Sequence, residues 1–257
     1  MPVRSPHGGT GGRADALMGV GEARARGCEE ALRLRPRTLM LITSDADCRV
    51  GSGSIAALRH ALNKAHAAAG RVVPDPDEFA ALPDQVRVHG DLEDLRDALL
   101  AEISARIRPS WHDPSPRHGQ APGALLAFRP AAYLAVGGFA SMRCSEDRDI
   151  VRRLCQAGFT VAHPWDAVIV ASCRIQGRAV GGMADTIARR ASSDLGPAIV
   201  RLSRQCDRLV PVVSALRSEG PIAIEKVCDF IDGNRRDNDG SLGAKPCAPE
   251  ADRLVGL

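Results

Sequence analysis

The 257-residue chain has no apolar stretch near the ~20 residues that a membrane-spanning helix needs, and runs such as GALLAF and DAVIVAS are far too short. That excludes a helical membrane span. Lysine is almost missing, standing only at Lys64, Lys226 and Lys245. The cations are therefore nearly all arginine, a bias of coding rather than of phosphate recognition. They are scattered, and 34 basic against 31 acidic residues leave a formal charge of +3, so no nucleic-acid partner is implied. Cys-x-x-Cys is absent too, which removes the commonest zinc pattern. The cysteines, at 28, 48, 144, 155, 173, 206, 228 and 247, accompany neither a short secreted chain nor a signal-peptide pattern. They read as reduced structural thiols in a cytoplasmic protein.

With 44% hydrophobic residues the chain can bury one sizeable core. Residues 1–18 are Gly-rich without apolar periodicity and read as disordered, 19–230 as one domain, and 231–257 as a polar, flexible tail. GEARARGCEEALRL (21–34) spaces Ala25, Cys28, Ala31 and Leu32 for an amphipathic helix, and Pro36 stops it. Thr38 to Thr43 suit a strand buried on both faces. SIAALRHALNKAHAAAG (54–70) predicts a helix ending at Gly70, RVVPDPDEFAALP a strand and turn, and DLEDLRDALLAEISARI (91–107) another helix. A Pro-rich loop at 108–123 follows, of a length that more often serves function than not. SEDRDIVRRLCQAG (145–158) reads as a helix with Ser145 as N-cap and Gly158 as C-cap. FTVAHP and DAVIVASC read as strands, and 183–217 as broadly helical. Helix followed by buried strand is half of an α/β unit.

Asp-x-Asp occurs at 45/47, 75/77, 147/149 and 237/239, so context must discriminate. The pair at 75/77 brackets a proline and reads as a surface turn. The pair at 237/239 lies in the polar tail, with a glycine too early for a calcium loop. Asp45 and Asp47 end an apolar strand, where α/β sheets bind ligands. Two carboxylates there either hold a hard divalent cation or merely turn the chain. Glu146 and Asp147 open a helix after VGGF. The helix dipole favours acids there and keeps Asp147 ionised, so a base and an ordinary first-turn acid remain alternatives.

Taken in order, LITSDADCRV, GALLAFRPAAYLAVGGF, SEDRDIVRRLCQAGF and SCRIQGRAVGGMAD resemble the successive motifs of family 2 glycosyltransferases over roughly residues 19 to 190. The resemblance implies an α/β, GT-A-like (Rossmann-like) sandwich with a mixed, mostly parallel sheet. It implies an inverting, metal-assisted transfer of a sugar from a nucleotide-diphosphate donor to a hydroxyl acceptor. Asp45 and Asp47 match the metal motif that holds Mg²⁺ or Mn²⁺ against the diphosphate. Asp147 matches the catalytic base, with Glu146 beside it. Gly137 and Gly138 match a turn close to donor or acceptor, and Arg174, Gln176 and Arg178 stand near the family's diphosphate or acceptor contacts. His163 is a candidate further metal ligand, and His112 and His118 are candidate acceptor contacts. The family's opening strand, P..NE loop and second strand, which bind the nucleotide base, have no counterpart before Asp45. The fold is thus expected to be incomplete at its N-terminus, exposing apolar surface at one edge or face, and a truncated, non-catalytic remnant or interaction module is the alternative function.

Overall fold

The computed structural model describes residues 19–120, 123–177 and 182–219. The segments read as disordered or tail, Arg178 and the Asp237/Asp239 pair lie outside them. The order is α1 (Val20–Leu34), β1 (Leu41–Ser44), β2 (Arg49–Val50), α2 (Ser54–Ala61), β3 (Ala67–Ala69), β4 (Arg71–Pro74), α3 (Pro76–Ala80), α4 (Asp84–Ile107), β5 (Leu125–Phe128), α5 (Pro130–Ala135), α6 (Glu146–Gln156), β6 (Val161–Ala162), β7 (Val168–Ala171), α7 (Met183–Ala191) and α8 (Gly196–Glu219). The fold is mixed α/β, as expected.

One sheet runs β1-β5-β3-β6 and the other β2-β7-β4. β1 and β3 are each antiparallel to β5, and β3 is parallel to β6, so β1, β3 and β6 all point one way. The expectation of mostly parallel strands holds for direction. The ladders do not follow it, because β5 enters between two strands that run against it. In the second sheet β7 pairs antiparallel with β2 and parallel with β4.

The core lies on both faces of the first sheet. On one, Leu126, Phe128 and Leu41 meet Cys28 of α1 and Ile150 and Leu154 of α6. On the other, Leu125 and Ala127 meet Leu58, Leu62 and Ile169. α4 and α8 pack through Ile103, Leu209, Val213 and Leu216. No helix is long and apolar enough to cross a membrane among the described residues.

Three local expectations fail for tertiary reasons. Ala67–Ala69 is a strand, not the end of a helix: all three alanines are fully buried between β5 and β6, and that burial overrides alanine's helix preference. Gly70, just after it, has no room for a side chain, since a Cβ would lie 2.5 Å from Leu125 Cδ2. β1 starts three residues later than expected and is not buried on both faces. It is one of the two outer strands, with Leu41 buried but Ser44 exposed, and Leu39 just before it is 89% exposed. Ser145 occupies the N-cap position of α6 but adopts φ 63° and makes no side-chain capping bond. Gly158 does close α6 with positive φ.

The expectation of reduced thiols holds for Cys28, Cys48, Cys144, Cys173 and Cys206. Cys155 is disulfide-bonded and departs from it.

Candidate active site

Asp45 and Asp47 sit in the turn joining β1 to β2. The Asp45 N–H donates to Ala124 O at 3.1 Å, and its carbonyl accepts from Cys48 N at 3.3 Å. The turn presents both carboxylates together with the Cys48 thiol, and one ligand atom from each lies within 4.8 Å of the others. Two hard oxygens and one sulfur form a donor set that fits a divalent cation. Burial, then the charges of Asp45 and Asp47, push the Cys48 thiol up to about 12, so sulfur would ligate only if an incoming metal displaced its proton to solvent.

The second acid pair faces this turn across Arg24. Arg24 lies on the same stripe of α1 as Gly21 and Cys28, the two buried residues of that helix. Its guanidinium pairs with Asp45 and, at 3.4 Å, with Glu146. It also sits over the Phe139 ring at 5.7 Å, and its Nη1 is buried with no hydrogen-bond partner among the described residues. α1 gets this close because Gly19 and Gly21 lie directly on the backbone of Ala140 to Arg143, where no side chain would fit. The Gly21 N–H donates to Met142 O at 3.1 Å. A charged residue on an otherwise buried stripe was the legible sign of this contact, since such a group needs an ionic partner.

Glu146 is 4% exposed. Burial raises its carboxyl above the ordinary range, and Arg24 pulls it back only in part. Burial likewise raises Asp147, against the Arg148 N–H bond at 2.7 Å and the Arg24 charge, while Asp45 adds to the rise. The helix start therefore does not keep Asp147 at a low pKa, because desolvation outweighs the Arg148 N–H bond and the nearby arginine charges. A raised carboxylate is the better proton acceptor.

Gly137 and Gly138 both adopt positive φ, 76° and 66°, in the turn that ends α5. Tyr133 Oη would be 2.7 Å from a Cβ on Gly138, and Arg153 Nη2 donates to Gly138 O at 2.7 Å. These contacts aim the chain toward α6. Arg174, just beyond β7, pairs with Asp47. Gln176 is exposed on the same loop.

Beside Asp47 opens a cavity of about 170 Å³ lined by Asp47, Arg49, Asp75, Glu78, Val170, Ala171 and Ser172. Asp75 is therefore more than the bland surface turn its sequence suggests. It caps α3 through the N–H groups of Asp77 and Glu78, and Arg49 pairs with it at 2.5 Å. Glu78 accepts from Ser172 Oγ at 2.7 Å and Cys173 N at 2.6 Å. Nothing local marks Asp75 or Glu78 as neighbours of Asp47, because the pairing of β4 with β7 brings them there.

The three candidate histidines have structural places. His163 Nδ1 bonds Asp113 at 3.0 Å instead of joining the aspartate pair. His112 bonds Ser110 Oγ at 2.8 Å. His118 is 3% exposed and bonds Ala69 O at 2.9 Å, so it cannot reach an acceptor.

No protein-family model matches the chain. No curated protein matches it either. Among solved structures it is similar to a mannosyltransferase from Pyrobaculum calidifontis in complex with GDP-Man and Mn2+, at 18% identity and a TM-score of 0.35. The match covers 81% of this chain and 59% of that one, and a likeness that slight assigns neither fold nor activity.

Proposed function

We propose that this protein moves a sugar from a nucleotide-diphosphate donor to an acceptor hydroxyl, with inversion at the anomeric carbon and with help from Mg²⁺ or Mn²⁺. One observation carries this reading: the Asp45–Asp47 turn and the Glu146–Asp147 helix start meet across a single buried arginine. Two acidic groups with separate surroundings can then take separate roles. Asp45 and Asp47 would hold the cation through carboxylate oxygens, the ligand type that Mg²⁺ and Mn²⁺ prefer over the Cys48 thiol. A bound cation supplies charge neutralisation on the departing diphosphate. Asp147, whose carboxyl is raised by burial, takes the proton of the attacking hydroxyl. Glu146, paired with Arg24, keeps the start of α6 beside the turn. Gly137 and Gly138 let backbone approach the substrates, and Arg174, Gln176 and Arg178 contact diphosphate or acceptor. The cavity beside Asp47 suits a neutral, hydroxyl-rich ring, because its carboxylates and the Arg49 guanidinium offer hydroxyls both acceptors and donors.

The test is sugar transfer or donor hydrolysis with Mn²⁺ and a panel of nucleotide sugars, GDP-mannose first. Asp47→Ala is expected to remove most metal dependence and turnover, and Asp77→Ala, exposed on α3, to do little. Equal losses at both positions would remove the metal assignment. The second reading, an interaction module, draws on the outer position of β1 and the exposed Leu39 beside it. Turnover by the wild-type chain separates the two.

A further inference from the structure

Each aspartate of the candidate metal pair is held by an arginine from a distant part of the chain, Asp45 by Arg24 of α1 and Asp47 by Arg174 beyond β7. We propose that Arg174 stands in for the cation while donor is absent, with Arg24 as a fixed partner of Asp45, so that the divalent ion enters together with a diphosphate rather than alone. The proposal rests on the reading of Asp45 and Asp47 as the metal pair.

A bare divalent ion approaching this turn meets carboxylates already engaged in ion pairs and two guanidinium groups at close range. Both raise the cost of binding it. A diphosphate changes the balance. Its oxygens accept from a guanidinium at least as well as a carboxylate does, in the same forked geometry. An arginine that turns to phosphate releases its aspartate to the metal, and the anion offsets the added positive charge.

The two arginines are built differently for this exchange. The Arg174 and Asp47 side chains are 49% and 41% exposed, so their pair is weak and easily traded. Arg24 is 8% exposed, shared with Glu146 and packed on Phe139, so it stays in place. It takes Oδ1 of Asp45, which leaves Oδ2 to face a cation. Arg174 is therefore the exchanging group and Arg24 the fixed one. Both are positioning residues toward the metal.

Calorimetric titration of the full chain with Mn²⁺ alone, and with Mn²⁺ plus GDP or UDP, tests this. Arg174→Met is expected to bind Mn²⁺ alone on the order of tenfold more tightly than wild type, since one cation has left the site. Wild type should recover a similar factor when the nucleoside diphosphate is present. Arg24→Met should tighten binding further, but it leaves Glu146 unpaired, so Arg174→Met, an exposed change, carries the test if that variant misfolds. Equal or weaker Mn²⁺ affinity in Arg174→Met would overturn the proposal. Adding Asp47→Asn to Arg174→Met should abolish the gained affinity. If the gain survives, the ion binds elsewhere and the metal assignment itself falls. That assignment also falls if none of these proteins binds Mn²⁺ with or without diphosphate.

Discussion

Two buried polar centres organise this molecule, and they are built on opposite principles. In one, Arg24 is shared by Asp45 and Glu146, with Asp147 close enough to feel both Arg24 and Asp45. Carboxylates outnumber the cation, and burial raises Glu146 and Asp147. In the other, one carboxylate is shared by several donors. Asp113 accepts from His163 N at 2.7 Å and His163 Nδ1 at 3.0 Å, with Arg117 at 3.4 Å. Burial alone would raise the Asp113 carboxyl, but these donors outweigh it and hold it below the usual range. The first centre is unbalanced and opens to solvent at Asp45, whose side chain is 40% exposed. The second is balanced and covered. Uncompensated charge beside an opening is what a reactive site requires, whereas matched charge under a loop suits architecture.

The largest effect should come from Asp147→Asn. That variant keeps the size of the side chain and can still accept from the Arg148 N–H, so folding and donor binding should be spared. Transfer should slow by roughly 10² to 10⁴, the contribution of a general base. As a mere first-turn acid, Asp147 would cost only ~0.3 to 1 kcal/mol of stability, with turnover untouched. Turnover and melting temperature on this one variant decide between them.

Asp113→Ala should act the other way round. It strips His163 and Arg117 of their shared partner and unties the loop after α4 from the residues after β6. Breaking a buried pair of this kind costs about 3 to 5 kcal/mol, to be read from urea unfolding. Turnover per folded molecule should stay near wild type, and a selective loss of turnover would move the 108–120 loop into the active site.

Acid should weaken the second centre on its own. Burial, then the neighbouring His163, lowers His118 from 6.5 to about 4. Between those values the unfolded chain binds a proton that the folded protein refuses, so stability is complete above about pH 6.5 and falls as pH drops toward 4. The loss attributable to His118 is about 3 kcal/mol. His118→Gln should flatten that part of the urea midpoint against pH, and an unchanged slope would place the acid sensitivity elsewhere.

The histidines show why residue type misleads when topology is unknown. His163 stands at a strand end and His112 and His118 in a Pro-rich loop, all reasonable ligand or acceptor positions by pattern. Asp113 lies 50 positions before His163, and only folding shows that the two are partners. Arg24 is the converse case: it sits inside a well-read helix, yet its importance depends on Asp45 and Glu146 being brought to it.

Local periodicity and punctuation by themselves determined α1, the body of α6 with its Gly158 stop, β4, β7 and the acidic turn that ends β1. These depend on which residues recur every two or four positions and on where glycine or proline interrupts them. Only tertiary structure decided that Ala67–Ala69 is a strand, that Asp75 and Glu78 share a cavity with Asp47, and that Asp45 and Asp47 each have their own arginine. Burial between neighbouring strands can outweigh an intrinsic preference worth less than 1 kcal/mol per residue. Ion pairs between distant segments exist only once folding has brought the two segments together and set their distance.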